Sequence, residues 1–221
     1  MSQVGEAQLS GSVALNSFNL NSAVTPLPHL ALMYNYSKAV EDKNDFPGRQ
    51  HNQHEWAAGV FRKNAEGIIS ELYLGYGVGS TKSWKNTSEL FSDIDEMTEL
   101  RADFRRYFIQ INAGGSYKTF EGGGAIRIVR MDYHKLTKSN LRFTKSIFGQ
   151  DVFLGETILK VSDPSAYFVE PSLTARFGLE RLKLQGQLGA SIPLQKAHTR
   201  NFNMYPFFAS LGISVHIGRS K

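Results

Sequence analysis

The sequence predicts an all-β fold: an antiparallel, up-and-down transmembrane β-barrel of about ten strands with both termini periplasmic. Three observations predict it. Stretch after stretch alternates apolar residues with small or polar ones, the connections between stretches alternate short and long, and the aromatics of the apolar face collect near the strand ends. Side chains in a strand point to opposite faces with period two. Each such stretch therefore has one greasy and one polar surface, and a sheet made only of such strands needs an apolar solvent on one side.

The C-terminal stretch shows the alternation most cleanly. Phe207, Ala209, Leu211, Ile213, Val215 and Ile217 share one face, and Ser210, Gly212, Ser214, His216 and Gly218 share the other. Leu182, Leu184, Leu188, Ala190 and Ile192 repeat it, as do Tyr167, Val169, Leu173, Ala175 and Phe177. Strands are expected at about 5–15, 17–25, 29–39, 54–63, 68–79, 105–117, 119–133, 166–178, 181–192 and 204–218. Tight turns join them at Pro26-Leu27-Pro28, Asn64-Ala65-Glu66-Gly67, Tyr117-Lys118 and Gly178-Leu179-Glu180. Long external loops are expected at 40–53, 80–104, 134–165 and 193–203, within a single domain spanning 1–221. Only the hairpin turning near Asn16 is short on the long-loop side.

The aromatic girdle gives the same orientation. Tyr36, Trp56, Tyr76, Tyr107, Tyr167, Tyr205 and Phe207 lie on the apolar face toward the long-loop end, with Phe120 and Phe177 near the opposite rim. Tyr and Trp favour the bilayer–water boundary because the ring is apolar and its OH or NH stays wet. A soluble barrel with its apolar face inward is the rival reading. It gives no reason to keep Tyr and Trp at one rim, or to crowd glycine, serine and alanine onto the polar face.

Composition excludes several function classes. The chain has no cysteine, which removes disulfides, cysteine metal sites and thiol nucleophiles. The formal charge of +5 is spread along the chain, with no basic face or module for nucleic acid. No apolar run approaches the ~20 residues of a membrane helix, but a barrel strand crosses with ~9–11 tilted residues, half of them apolar. Met1-Ser2-Gln3-Val4 runs straight into the first strand, so an export signal is expected to have been removed.

Gly5-Glu6-Ala7-Gln8-Leu9-Ser10-Gly11-Ser12 and Asn16-Ser17-Phe18-Asn19-Leu20-Asn21-Ser22-Ala23 resemble small outer-membrane β-barrel proteins of the Bacteroidetes type. His29–Ser37, Glu71–Gly77 and Phe168–Gly178 continue the resemblance across most strands. It implies an outer-membrane location, contact with outer-membrane lipid, and an acylated cysteine upstream as in surface-associated lipoproteins. It carries over no catalytic residue and no cofactor. One departure is the C-terminus, Ile217-Gly218-Arg219-Ser220-Lys221, where such barrels often end on an aromatic residue.

Four constellations bear on chemistry. Glu6, Glu71, Glu121, Arg127, Glu170, Arg176 and Lys183 fall on the polar face, and buried charges must pair or meet water. They are expected to form an interior ion-pair plug, or else the lining of a narrow pore for small solutes. His51, His54 and Glu55, with Asp42 and Asp45 nearby, have a weak metal-ligand spacing that reads as a solvated loop, so no metal site is assigned. His134 beside Asp132 is the only rim arrangement suited to a hydrolase, and the dyads of omptin-type proteases are not matched. Leu90, Phe91, Ile94, Met97 and Leu100 recur at helical spacing amid acidic residues, predicting a short amphipathic helix over about 88–101.

The 134–165 segment is basic yet carries Phe143, Phe148 and Phe153, so its flanking strands are expected to continue as a hairpin beyond the membrane. With Leu90, Phe91, Ile94 and Met97, these phenylalanines form the expected partner-docking surface. The function expected is therefore non-enzymatic: a plugged barrel with a structural or interaction role at the cell surface, or an accessory subunit of a larger membrane protein complex. No small-molecule substrate is identified.

Overall fold

The computed structural model describes residues 4–14, 17–40, 48–86, 94–145, 151–160, 165–194 and 207–218. Its strands are β1 (Ala7–Ala14), β2 (Ser17–Leu27), β3 (Leu30–Val40), β4 (Gly48–Lys63), β5 (Ile69–Asn86) and β6 (Ile94–Tyr117). They continue as β7 (Phe120–Lys145), β8 (Asp151–Lys160), β9 (Ser165–Gly178), β10 (Leu182–Ala190), β11 (Ile192–Pro193) and β12 (Phe207–Ile217). Ten of these close a barrel in the order β1-β2-β3-β4-β5-β6-β7-β9-β10-β12, with β12 returning to β1 in antiparallel register from Ala7↔Ile217 to Val13↔Leu211. Closure removes the unpaired edges that an open sheet would expose to lipid.

β8 and β11 lie outside that ring of ten. The first half of β7 pairs with β9 up to Asp132↔Ser165, and its second half pairs with β8 from Thr137 to Lys145. β7 and β8 thus form the hairpin expected beyond the barrel. β11 is a short addition to the start of β9.

The tight turns sit together at one end. His29 (φ 64°) follows Pro28, the arrangement of a type II turn, and Lys118 (φ 53°) opens the two-residue turn between Tyr117 and Phe120. At Asn64–Ile68 the Asn64 carbonyl accepts from Gly67 N, while its side-chain oxygen accepts from Ile68 N at 2.8 Å. Pro26 falls inside the register shift between Val24 and Leu27, where a missing N–H costs no ladder bond. The first and last described residues also lie at this turn end.

The other end is uneven. β6 has 24 residues and β7 has 26, against 8 for β1 and 9 for β10. A tilted strand crosses a bilayer in ~9–11 residues, so about half of β6 and β7 rises beyond it. Strand therefore occupies most of the 80–104 and 134–165 segments expected as loops, and the 48–53 part of the 40–53 segment. The helix expected over 88–101 is overturned across 94–101, because β6 starts at Ile94 and ladders onto both β5 and β7, and residues 88–93 lie outside the described residues. Leu100, Ala102, Phe104 and Phe108 are all buried, a spacing of two or four that strand geometry places on one face. On this projecting wall Glu99 receives Lys82 Nζ at 2.8 Å and Arg101 Nε. Burial alone would push the Glu99 carboxyl up, but these bonds hold it below the usual carboxylate range.

The outer wall is apolar, with Leu32, Leu72, Leu74, Ile109, Ile111, Ile126, Leu173, Leu184, Leu211 and Ile213 all exposed on it. Polar side chains face the lumen, and so does a cluster that departs from an all-polar interior. Phe61, Tyr73, Phe104, Phe108, Val129, Met131, Tyr133 and Phe168 are buried together inside the barrel.

Candidate functional site in the lumen

Four charges from four strands meet at the middle of the lumen. Arg106 of β6 holds Glu170 of β9 with Nη2 at 2.7 and 2.8 Å from the two carboxylate oxygens. Its Nη1 reaches Glu55 of β4 at 3.2 Å and donates to Gln53 Oε1 at 2.9 Å. Arg127 of β7 completes the ring through Nη1 to Glu55 at 2.9 Å, with Nε donating to Gln110 Oε1 at 2.7 Å. Asn35 and Gln53 donate to Glu55, and Ser191 donates to Glu170. Two carboxylates thus balance two guanidiniums. The Glu55 side chain is 3% exposed and that of Arg106 8%, while Arg127 and Glu170 are only partly buried, so the network is deepest at Glu55 and Arg106 and meets the cavity on the turn side through Arg127.

Aromatic rings close the space around it. Along β6 the inward residues run Phe104, Arg106, Phe108, so the guanidinium lies between two phenylalanines in sequence, and Arg127 sits 4.2 Å from the Phe108 ring centre. The facing residues on β5 are Gly75, Gly77 and Gly79. A Cβ at Gly75 would overlap the Phe108 ring, one at Gly79 the Phe104 ring, and one at Gly77 would lie 2.9 Å from Glu55 Cγ. Gly59 makes the same space for Tyr73. Glycine on one strand lets a ring on its neighbour lie flat against the wall, and this packs a ten-stranded lumen. On the far wall Ser10, Ser12, Ser210 and Ser214 are buried too.

A polar cavity of ≈ 310 Å³ opens on the turn side of this plug, reached by Glu6, Glu71, Asn112, Glu121, Arg176 and His216. A second charge cluster lies there. Arg176 and Lys183 approach Glu121 at 3.8 and 3.6 Å, His216 Nε2 lies 3.8 Å from it, and Asn112 donates to Glu71 at 2.8 Å. Beyond the plug, a cavity of ≈ 640 Å³ is lined by Lys38, His51, Thr81, Lys82, Arg101 and Lys135.

The seven interior charges expected from sequence thus lie in two groups. Arg127 and Glu170 join the central network, while Glu121, Arg176 and Lys183 form the turn-side cluster. Glu71 lies nearer the second group, and the buried Glu6 sits at the turn end, where its backbone exchanges bonds with Thr25. Glu55, Arg106 and Gln53 were missed. Their signal was the alternation itself: Trp56 and Tyr107 face out, so Glu55 and Arg106 must face in.

The histidine spacing fails as a metal site for the same reason. In strand β4, His51 and His54 fall on opposite faces. His54 packs outside against Trp56 and Tyr36 and bonds Tyr34 Oη at 2.9 Å. Asp42 and Asp45 lie outside the described residues, and no metal-ligating cluster occurs among the described ones. Asp132 is engaged by Arg130 and Ser165, at 2.9 and 2.7 Å, and His134 Nε2 has no hydrogen-bond partner. No hydrogen bond joins Asp132 to His134 among the described residues.

Of the expected docking residues, Met97 pairs with Leu141 across β6 and β7, and Phe143 packs on Phe153 across the hairpin at 5.7 Å. Leu90, Phe91 and Phe148 lie outside the described residues, as does Tyr205 of the girdle, and Ile94 is described as a strand position only. The remaining girdle residues are on the outer wall. Trp56↔Tyr76↔Tyr107 are successive register partners, with Tyr34 before them and Tyr167 two strands on, a row running obliquely because the strands tilt.

No protein-family model and no characterised protein sequence matches the chain. Solved structures do. The outer membrane protease OmpT from Escherichia coli superposes over 96% of this chain and 93% of its own, with TM-score 0.50 and 11% identity. The chain has the fold of a bacterial outer-membrane β-barrel. A major outer membrane protein from Thermus thermophilus aligns over 96% of this chain and 98% of its own, at 9% identity and TM-score 0.47. The translocator domain of autotransporter NalP from Neisseria meningitidis aligns over 97% and 86%, at 9% identity and TM-score 0.42.

Proposed function

We propose that this chain sits in the bacterial outer membrane with its turns in the periplasm, as a non-conducting barrel whose work is done by the tall β4–β8 wall at the cell surface. The observation that carries the reading is the filled lumen. Glu55, Arg106, Phe104, Phe108 and Phe168 are all buried inside a barrel whose outer face is apolar, which leaves no room for a stream of solute. The role is structural or interactive, alone or as an accessory subunit of a larger complex. Its recognition surface is the β6–β8 sheet, where Phe153, Leu154, Ile158 and Leu159 are exposed beyond the membrane.

Reconstitution into planar bilayers tests this. The intact barrel is expected to give no steady current, and deletion of residues 141–158 should leave a heat-resistant, inserted barrel that no longer co-purifies with its partner from native membranes. A deletion that prevents folding would make the hairpin part of the barrel's stability. The two cavities flanking the plug support a second reading, a narrow pore caught closed. Steady unit currents from the intact protein would put that reading in place of the first.

A further inference from the structure

On the outer wall the aromatic row is interrupted once, by an arginine. Arg130 stands directly between Tyr107 and Tyr167, its register partners on β6 and β9. Tyr117 to Tyr107, Phe120 to Arg130 and Phe177 to Tyr167 each span the ~10 residues a tilted strand needs to cross a bilayer, so Arg130 lies at the boundary away from the turns. Arg130 Nε donates to Asp132 at 2.9 Å, which leaves its two terminal amino groups for other acceptors. Asp132 also accepts from Ser165 at 2.7 Å. Opposite Asp132 on β6 is Arg105, exposed, outward and with no ion-pair partner among the described residues. Two outward guanidiniums therefore stand beside one carboxylate that, of the two, bonds only Arg130, on a lipid-facing wall flanked by two tyrosines. An excess cation at that depth is stabilised by an anion in the headgroup layer.

We propose that Arg105 and Arg130 bind the phosphate of an outer-leaflet lipid headgroup, with Tyr107 and Tyr167 packing against the glycolipid portion beneath it. Planar guanidiniums suit phosphate because they offer paired N–H donors. The inference rests on the orientation proposed above. Surface labelling of a tag placed within 146–150 on intact cells reads that orientation independently of any lipid.

The test is native mass spectrometry of the purified full chain in detergent. The probes are diphosphorylated lipid A, the same lipid without its phosphates, and inorganic phosphate. The intact protein should retain the phosphorylated lipid in preference to the dephosphorylated one. Arg105→Gln/Arg130→Gln should weaken that retention by about tenfold, the scale of lost charge-assisted bonds. Asp132→Asn should strengthen it, and Arg62→Gln, near the turn end, should leave it unchanged. Equal retention of both lipids would overturn the proposal, as would a double variant that binds like the intact protein. Displacement of the lipid by equimolar inorganic phosphate would show a free-anion site and overturn the lipid assignment.

Discussion

Replacing Arg106 with methionine removes the one side chain that contacts both carboxylates of the central network at 3.2 Å or less. Glu55 and Glu170 are then left facing Arg127 alone, which lies 2.9 Å from the first but 4.0 Å from the second. The net change is one uncompensated carboxylate at a largely buried site, since the Glu170 side chain keeps only 19% of its exposure. Breaking a buried pair in this way costs about 3–5 kcal/mol, because the stranded charge loses its partner without regaining hydration. Arg106→Met/Glu170→Gln should cost less than the single change. It removes both charges and leaves Glu55 bonded to Arg127, Asn35 and Gln53.

The measurement is urea unfolding of the barrel in lipid vesicles, followed by loss of the heat-resistant band, across the complete double-mutant cycle. A coupling of about 2 kcal/mol or more in the rescuing direction is expected. Additive losses, with the double variant weaker than either single one, would mean that the charges are solvated individually. The account of a sealed lumen would then be wrong.

On the lipid face, Ile213→Arg, exposed within β12, should cost about 2–4 kcal/mol in the same assay, and Leu184→Arg, whose register partner Phe177 stands at the turn-side rim, should cost only about 0–1 kcal/mol. Ser214→Asn should also destabilise, by about 1–3 kcal/mol, because Ser214 is 0% exposed and its hydroxyl accepts from Gln8. Gly75→Ala should cost about 1–3 kcal/mol by driving a methyl into the Phe108 ring, and Phe108→Leu should recover part of that loss when the two changes are combined. Glu99 sets a pH dependence beyond the membrane. Its carboxyl is held below the ordinary 4.5, so its contribution is complete above that value and disappears as the pH falls through the lower folded value. Protection factors of the amides in 94–104, taken against the intrinsic exchange rate at each pH, should fall at acid pH in the intact protein and not in Glu99→Gln.

Alternation made the barrel legible wherever both faces had fixed demands. Between Phe120 and Arg130, or Phe177 and Tyr167, lipid requires an apolar outer wall and a narrow lumen requires small or paired residues. Period two is therefore strict there. Beyond the girdle both faces of a strand can meet water, so the outer one no longer needs to be apolar. Asp95, Glu96, Glu99, Arg101 and Asp103 consequently read as a polar loop or an acidic helix, although the chain there is laddered onto β7 and, from Met97 on, onto β5 as well. Glu55 was hidden by the same loss of contrast, since the strand that carries it was expected to begin only one residue earlier. The glycine–aromatic plug was illegible for another reason. Gly75 and Phe108 are far apart in sequence, and register alone brings them opposite each other.

The segment Leu72-Tyr73-Leu74-Gly75-Tyr76-Gly77-Val78-Gly79 shows how one strand satisfies both solvents. Its odd-numbered positions face the lumen and contract to glycine where β6 presents Phe108, Arg106 and Phe104. Its even-numbered positions face lipid and change from leucine to tyrosine at the boundary, where Tyr76 packs on Tyr107 at 5.3 Å. A glycine-rich strand is intrinsically weak, because it orders a flexible backbone with little side chain to bury. Here β6 supplies the missing contacts by laying its rings over the glycines. The filling of the lumen and the stability of β5 are therefore one interaction. Any change that enlarges the lumen by shortening Phe104 or Phe108 also uncovers the glycines beneath, so opening this barrel by mutation should loosen its wall.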